Sequence, residues 1–212
     1  MKKYLVIGNP IEHSLSPKLH NYWIKTNNID AIYEKKKLNE NEIERLISEI
    51  KEKNINGVNV TVPFKKSVIP FLDKLSLEAE KTQSVNTISL KNDKIIGHNT
   101  DIDGFELSMK NIKFDINNKK ILILGAGGVV PSIVFTLKKM KISNITICNR
   151  TKSKAEVLKE SFNDLTIVDW GENIKFDMII NATSVGLNKN DEINLNFLND
   201  EKGKFFYDVI YN

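Results

Sequence analysis

The stretch GVNVTVPFKK, residues 57–66, places three side chains that can do chemistry at the end of one predicted strand. Its small and β-branched residues predict a buried strand, and Pro63 ends it. Because alternate residues of a strand share a face, Asn59 and Thr61 should lie side by side, with Lys65 entering just beyond the turn. An amide and a hydroxyl suit the binding of a small polar ligand, and the lysine suits proton transfer.

Further polar groups in the first half of the chain occupy loops beside predicted strands. Ser14 and Ser16 precede the first predicted helix, and later loops carry Asn86 and Asp101. Together with the first group, these hydroxyls, amides, one amine and one carboxylate fit a small polyhydroxylated anion. Each residue also has a purely structural interpretation, because Ser16 and Asp101 could cap helices and the lysine could be solvated.

A second motif begins at an apolar strand, residues 121–124, which runs directly into the turn GAGG at 125–128. An apolar helix pattern follows. A strand, a glycine turn and a helix in this order are typical of dinucleotide binding, in which the backbone approaches a pyrophosphate at the helix N-terminus. Val130 replaces the third glycine of the usual pattern, so a tight structural turn is the alternative.

The end of the next predicted strand indicates which dinucleotide would bind. NAD-binding proteins usually place an acidic residue there, about 20 residues further on, to hold the ribose hydroxyls. This chain has NRTKSK at 149–154 instead, and Arg150 is one of only two arginines in 212 residues. Because arginine matches the geometry of a phosphate group, the cluster favours NADP with its 2′-phosphate. A solvated helix start is the alternative interpretation of the cluster taken alone.

The elements that must position these residues alternate between strands and helices. In the first half, strands are predicted at 4–8, 31–36 and 57–62, a hairpin at 84–100 and a helix at 101–112. This order predicts an α/β fold with a mostly parallel sheet. Further strands are predicted within 144–150, 165–170, 176–183 and 204–211. We therefore expect a substrate-binding catalytic domain over 1–103 and a Rossmann-like NADP-binding domain over 104–212.

The composition narrows the class of protein. The net charge is +4 with both signs mixed along the chain, which argues against nucleic-acid binding. No apolar run approaches the ~20 residues of a membrane span, and we expect a cytoplasmic protein. The single cysteine, Cys148, lies in a predicted buried strand and excludes an internal disulfide. The three histidines are far apart, which argues against a metal site.

Eight motifs, in order and at family spacing, together resemble the shikimate dehydrogenase family. The resemblance extends from Gly8 to the last residue. Its motifs are GNPIEHSLSPKLHN, GVNVTVPFK, VNT, GHNTDIDG, LGAGG, NRT, NATSVG and YDVIYN.

The resemblance implies an NADP-dependent oxidoreductase that interconverts 3-dehydroshikimate and shikimate in chorismate and aromatic amino-acid biosynthesis. It implies that Lys65 and Asp101 form the catalytic pair, with Asn59 a nearby helper. The implied substrate-binding residues are Ser14, Ser16, Thr61, Asn86, Asp101 and Tyr211. The implied cofactor-binding residues are Gly125, Ala126, Gly127, Gly128, Val129, Asn149, Arg150, Thr151, Lys152, Ser153, Lys154, Thr183 and Val209.

The chain departs from the family pattern at two places. Gln83 and Ser84 stand where the family usually has Gly-Ala before VNT. The chain also ends at YDVIYN, whereas family members continue with a helix, a last strand and further helices. From this we expect a truncated chain without the C-terminal helices, with weak activity or none.

Three alternatives to this function remain open from the sequence. The first is a quinate/shikimate dehydrogenase that uses NAD. The second is a non-catalytic paralogue that binds shikimate or NADP, although such a protein should lose Lys65 or Asp101 first. The third is a dinucleotide-binding fragment with a structural role. The oligomeric state is also undetermined by the sequence, and a homodimer is one candidate.

Overall fold

The computed structural model describes residues 1–112, 114–186, 191–192 and 203–210. The chain divides into two compact units, residues 1–100 and 101–212. The predicted α/β fold class is confirmed, since each unit builds its own sheet and helices. The predicted boundary after residue 103 falls inside a helix of the second unit, Asp101–Asn111. The assignment of one function to each domain stays a prediction.

The first unit is built on a six-stranded mixed sheet with the order β2-β1-β3-β5-β6-β4. The first three strands along the chain are parallel, while β5 runs antiparallel to both β3 and β6. The predicted hairpin is β5 and β6. The strands are β1 Lys2–Gly8, β2 Ala31–Lys37, β3 Gly57–Val60, β4 Lys74–Leu75, β5 Thr87–Lys91 and β6 Lys94–His98.

Helices cover both faces of this sheet. The helices are α1 Ser16–Thr26, α2 Ile43–Lys51 and α3 Leu77–Thr82, with short 3₁₀ segments at Glu40–Glu42 and Ile69–Phe71. On one face, a stripe of four apolar residues on α2 packs in a common core with the strand residues Leu5, Ile7, Val58 and Val60. Each apolar side chain buried in this way contributes roughly 1.5–3 kcal/mol. The stripe consists of Ile43, Leu46, Ile47 and Ile50, all buried.

On the opposite face, a smaller core joins strands to α1. Val6 of β1 and Tyr33 of β2 are buried there, and Ile24 of α1 packs against them. The two faces arise from strand alternation, since Val6 lies between Leu5 and Ile7, which belong to the α2 core. A polar tyrosine in the α1 core requires a hydrogen-bond partner for its hydroxyl.

Two local expectations for the first unit are wrong. Strand β3 ends at Val60, short of the predicted end at Val62, so Thr61 lies beyond it, although Thr61 N still donates to Ile7 O over 2.9 Å. Ser16 is the first residue inside α1 rather than its N-cap. The N-cap is Leu15, which has no capping side chain, and Ser14 Oγ instead accepts a hydrogen bond from Ser16 N over 3.3 Å.

The second unit is a parallel five-stranded sheet with the order β11-β10-β7-β8-β9. This order, with the first strand of the unit at the centre, is that of a doubly wound nucleotide-binding sheet. All five strands were predicted. They are β7 Ile121–Leu124, β8 Ile145–Cys148, β9 Thr166–Val168, β10 Met178–Asn181 and β11 Phe205–Asp208. The helices are α4 Asp101–Asn111, α5 Val130–Lys139, α6 Lys152–Glu156 and α7 Leu158–Ser161.

The central strand β7 is the most buried part of the second unit, since all four of its residues are 0–1% exposed. Helix α5 packs on it through Ile133, Val134 and Leu137. Cys148 is buried at the end of β8, as predicted. Within the residues that the structure describes, none of the helices combines the length and apolar character needed to span a membrane.

Candidate active site

The polar residues predicted for the substrate follow strand ends along one edge of the first sheet. The register pairs Asn59 of β3 with Thr87 of β5, and Thr87 with His98 of β6. Because β5 is antiparallel to its neighbours, its amino end lies beside the carboxyl ends of β3 and β6. The structure therefore brings Thr61, which follows β3, and Asn86, which precedes β5, to the same edge.

The loop between β1 and α1 leaves the sheet at this edge as well. β1 ends at Gly8, and Asn9 N donates a hydrogen bond to Val62 O over 3.0 Å. The loop is thus tied to the segment that follows β3. It carries the half-buried Ser14 and Ser16, whose hydroxyls were predicted to bind a carboxylate.

Gly8 is the residue that allows this close approach. A β-carbon at Gly8 would lie 2.7 Å from Thr61 Cγ2 and 3.0 Å from Val62 O. Thr61 N donates to Ile7 O over 2.9 Å, which holds the segment against β1. Only a residue without a side chain leaves room for this backbone contact. In the sequence Gly8 is only the first residue of a motif, and no local pattern indicates this steric role.

Asn86 is held in place by both its backbone and its side chain. Its N–H donates to His98 O over 3.0 Å, and its carbonyl accepts from Val60 N over 2.8 Å. Thr100 N donates to Asn86 Oδ1 over 2.9 Å, and Asn86 Nδ2 lies 3.0 Å from Thr100 Oγ1. Protein contacts alone therefore position this predicted ligand residue.

Asn59, expected to be a nearby helper, is held by groups on other strands. Its Oδ1 accepts from Tyr33 Oη over 2.7 Å, and its Nδ2 donates to Thr87 Oγ1 over 3.0 Å and to Asn86 O over 3.3 Å. Both ends of the amide therefore contact the protein. Asn59 supports the neighbouring polar residues, and the alternation of strand residues could not reveal this because the partners lie on other strands.

The predicted catalytic residues belong to different units of the chain. Lys65 is half-buried in the turn after β3, between the buried anchors Phe64 and Val68, and its carbonyl accepts from Val85 N over 2.8 Å. Asp101 is the first residue of α4 and is described with the second unit. The pairing of these two side chains stays a prediction.

The predicted cofactor residues follow strand ends along one edge of the second sheet. The register aligns the last residues of four neighbouring parallel strands, since Leu124 pairs with both Cys148 and Asn181, and Asn181 pairs with Asp208. The glycine turn, the NRTKSK cluster, the Thr183 loop and Val209 follow these four residues directly. This is the edge at which doubly wound sheets bind nucleotides.

The glycine turn depends most strongly on Gly125. Its φ of +109° is disfavoured for any residue with a side chain, and a β-carbon there would lie 2.6 Å from Ala182 O. The turn leads through Val129, the N-cap, into the ten residues of α5. Gly127 and Gly128 are exposed in this turn, in front of a helix N-terminus that favours negative charge.

The cluster after β8 contains no acidic residue, as predicted, but its cations are not equivalent. Lys152 Nζ lies 3.0 Å from Asp169, at the end of the adjacent strand β9, and a hydrogen bond to this carboxylate raises the pKa of Lys152. Asn149 Nδ2 donates to Thr151 O over 2.7 Å and shapes the turn. Arg150 is exposed, as is Lys154.

The Thr183 loop is organised by Asn181, which sequence analysis did not select. Thr183 Oγ1 donates to Asn181 Oδ1 over 2.7 Å and accepts from Val185 N over 3.0 Å. Asn181 Nδ2 lies 3.1 Å from the Asp208 carboxylate. Val209, the predicted residue of the next strand end, donates its N–H to Asn181 O over 3.1 Å. Tyr211, predicted to contact the substrate, lies outside the described residues.

The architecture and these two strand edges define a class of protein. It is an α/β protein of two units, one with the glycine turn and strand order typical of dinucleotide binding and one with an edge of polar side chains that suits a small polar ligand. Two family models divide the chain in the same way. Residues 6–88 match the shikimate dehydrogenase substrate binding domain, and residues 106–208 match shikimate / quinate 5-dehydrogenase. The chain belongs to the shikimate dehydrogenase family, and the predicted family is confirmed.

Individual relatives agree with this assignment. The chain is 61% identical over 211 residues to shikimate dehydrogenase (NADP(+)) of Pelagibacter ubique strain HTCC1062, covering 100% of this chain and 80% of the relative. A crystal structure of shikimate dehydrogenase from Aquifex aeolicus matches with a TM-score of 0.91 at 36% identity, covering 100% of this chain and 80% of that one. The Thermus thermophilus enzyme, solved in complex with NADP(H) and shikimate, matches with a TM-score of 0.79 at 30% identity, covering 88% of this chain and 70% of that one.

Proposed function

We propose that this chain is an NADP-dependent oxidoreductase that interconverts 3-dehydroshikimate and shikimate, the function predicted from its motifs. The observation that carries the proposal is the set of polar side chains along one edge of the first sheet. Hydroxyls and amides lie there in a hydrogen-bonded frame, which suits a ring with several hydroxyl groups. The family assignment and the 61% identity to an NADP(+) enzyme support the same function.

The residues of the second edge fit NADP. Exposed glycines at the start of α5 leave the backbone open to a pyrophosphate. Arg150 and Lys154 would hold the 2′-phosphate, because arginine binds phosphate oxygens in a fork and lysine adds a second positive charge. Asn149, Thr151 and Ser153 would supply neutral donors. When bound, NADPH supplies the hydride that reduces the ketone.

The first edge would bind the substrate. We assign its carboxylate to the hydroxyls of Ser14 and Ser16, and its ring hydroxyls to Thr61, Asn86 and Asp101. Because Asn86 is fixed by protein contacts, binding would cost little ordering of that side chain. Tyr211 is carried over from the family resemblance as a further contact.

Lys65 would act on the substrate oxygen at the reacting carbon. In the reductive direction that oxygen gains negative charge as the carbon gains a hydride, and the Lys65 ammonium donates a proton to it, leaving a neutral amine and an alcohol. In the oxidative direction the amine accepts the proton. Asp101 would orient the lysine and a neighbouring hydroxyl. A general acid and base of this kind is worth roughly 10²–10⁴ in rate.

The test is shikimate oxidation by the 212-residue chain with NADP⁺ and NAD⁺ compared, and with the Pelagibacter ubique relative assayed in parallel. Binding of NADP⁺ and of shikimate is measured separately by the rise in melting temperature. We expect binding of both compounds, with weak turnover that prefers NADP⁺. A folded chain that binds neither compound contradicts the proposal. Binding without turnover favours the non-catalytic alternative, and a preference for NAD⁺ with quinate favours the other dehydrogenase.

The roles of the catalytic pair are tested by Lys65→Met and Asp101→Asn. Lys65→Met should lower kcat by about 10²-fold or more, with a smaller change in the KM for shikimate. Lys66→Met is the matched control, because Lys66 is the exposed neighbour in the same turn. Full turnover by Lys65→Met would remove the lysine from the mechanism.

We infer further that the protein works in the cytoplasm on small molecules, and not on nucleic acid or at a membrane surface. The mixed charges of the chain and its single cysteine support this inference. Association into a homodimer is a separate proposal. The half-exposed apolar side chains of Leu15, the N-cap of α1, and of Leu19 and Trp23 on the helix favour it, and a mass measurement in solution tests it.

A further inference from the structure

We propose that Tyr33 is a positioning residue for the substrate, acting through Asn59 and Thr87 on Asn86. The inference rests on the proposed function of Asn86 as a ligand residue. Tyr33 lies on β2, two strands away from β3, and was not selected by any sequence motif. Its hydroxyl is nevertheless the first member of a continuous series of hydrogen bonds that ends at the Asn86 side chain.

The orientation of the Asn59 amide is determined by its partners. The backbone carbonyl of Asn86 can only accept a hydrogen bond, and it lies 3.3 Å from one end of this amide. That end must therefore be Nδ2, which places Oδ1 toward Tyr33. Since Oδ1 can only accept, the Tyr33 hydroxyl must donate its proton to it, over 2.7 Å.

The series of hydrogen bonds continues from Asn59 to Asn86. Asn59 Nδ2 also donates to Thr87 Oγ1 over 3.0 Å, so the Thr87 hydroxyl directs its own proton to Asn86 Oδ1, 3.0 Å away. Thr100 N donates to the same Oδ1 over 2.9 Å. Asn86 Oδ1 is thereby turned toward the protein. Asn86 Nδ2, which lies 3.0 Å from Thr100 Oγ1, is the group that we assign to a substrate hydroxyl or keto oxygen, to which it would donate a hydrogen bond.

Tyr33 itself is held in place by burial, by ring stacking and by hydrogen bonds to its backbone. It is 4% exposed, and its ring stacks on His20 of α1 at 4.2 Å between centroids and 7° between planes. The Asn21 side chain bonds both backbone groups of Tyr33, donating to its carbonyl over 2.8 Å and accepting from its N–H over 2.9 Å. Helix α1 begins at Ser16, so the same helix carries a predicted carboxylate ligand and fixes Tyr33.

The test is Tyr33→Phe, which removes the hydroxyl and keeps the ring that stacks on His20. Without its donor, Asn59 Oδ1 loses a partner and only the Nδ2 contacts to Asn86 O and Thr87 Oγ1 hold the amide, so the series of hydrogen bonds that leads to Asn86 is weakened. We expect the KM for shikimate to rise about 10-fold, the order of effect for a lost buried hydrogen bond, with the KM for NADP⁺ unchanged. Tyr4→Phe is the control, since Tyr4 pairs with Tyr33 across β1 and β2.

A second measurement keeps the proposal testable if the chain does not turn over shikimate. The side-chain amide NMR signals of Asn59 and Asn86 should shift in Tyr33→Phe and stay in place in Tyr4→Phe. If the unmodified chain shows no turnover, this readout is still available, because it depends only on the folded chain. Unchanged Asn86 signals, or an unchanged KM for shikimate in an active chain, would overturn the positioning role. A lower melting temperature without a change in either readout would show that Tyr33 has only a structural role.

Discussion

A β-carbon added to Gly125 would lie 2.6 Å from the carbonyl oxygen of Ala182. The two residues follow β7 and β10, which are neighbours in the parallel sheet, and Ala182 N donates to Leu124 O over 2.8 Å. The glycine turn and the Thr183 loop therefore support each other at one point of backbone contact. This relationship joins two parts of the cofactor site that are 57 residues apart, from Gly125 to Ala182, in the sequence.

Gly125→Ala should therefore disrupt both loops. The new methyl group meets backbone atoms that cannot move aside easily, and the φ of +109° is strained for alanine. We expect a loss of stability of at least about 1–3 kcal/mol and weakened NADP⁺ binding. The measurements are the melting temperature and the Kd for NADP⁺. Gly127→Ala is the control for stability, because its β-carbon would lie 3.9 Å from Ala182 O. Equal melting temperatures for the two variants would contradict this prediction.

Gly8→Ala should act on the substrate site alone. The added carbon would lie 2.7 Å from Thr61 Cγ2, so the segment that carries Thr61 must move away from β1. We expect a higher KM for shikimate with little change in the KM for NADP⁺. Gly104→Ala is a suitable comparison, because nothing lies within 4 Å of the added carbon, and within a helix it should stabilise the protein by about 0.5–1 kcal/mol. A shikimate KM that stays at its original value in Gly8→Ala would count against the role of this contact.

Because Lys152 forms an ion pair with Asp169, we expect Arg150 and Lys152 to contribute unequally to NADP⁺ binding. Lys152 already interacts with a carboxylate, whereas Arg150 is exposed after β8. We expect Arg150→Ala to raise the KM for NADP⁺ about 10-fold or more, from the loss of a charge-assisted phosphate contact. Lys152→Ala should raise it less. The ratio of NADP⁺ to NAD⁺ efficiency in both variants checks the prediction, and a larger effect at Lys152 would reverse it.

Glu106 should contribute to resistance against acid. Hydrogen bonds from Lys110 and then Lys139, each at 2.6 Å, lower the pKa of Glu106 to about 2 and connect α4 with α5. Because the folded-state pKa is below the ordinary value of 4.5, this stability is present above pH 4.5 and is lost as the pH falls toward 2.

Glu106→Gln should therefore lower the melting temperature at pH 7 and reduce its decrease between pH 4.5 and pH 2. Lys139→Met removes one partner and should reproduce part of both effects. The measurement is thermal unfolding across this pH range. A Glu106→Gln profile parallel to that of the unmodified chain would show that the two ion pairs do not contribute. A modest effect is expected, since Lys110 and Lys139 are at least half-exposed.

Much of the fold could be predicted because its signals are local. The buried stripe of α2, the hairpin of β5 and β6 and the five strands of the second unit each follow from periodicity or apolar runs within a few residues. The two errors concern where elements begin and end. The end of β3 at Val60 and the position of Ser16 inside α1 depend on which backbone groups find partners, and periodicity does not show this.

The sequence by itself determined the family, the α/β class and the types of residue at both sites, because ordered motifs and strand–turn–helix patterns are properties of the chain. The tertiary structure decided which polar residues support others. Asn59 and Thr61 look equivalent in GVNVTVPFK, yet Asn59 has both amide ends bonded by Tyr33, Asn86 and Thr87. The steric roles of Gly8 and Gly125 were likewise set by neighbouring strands. Strand register across a sheet creates these contacts between residues distant in sequence, and no local pattern encodes it.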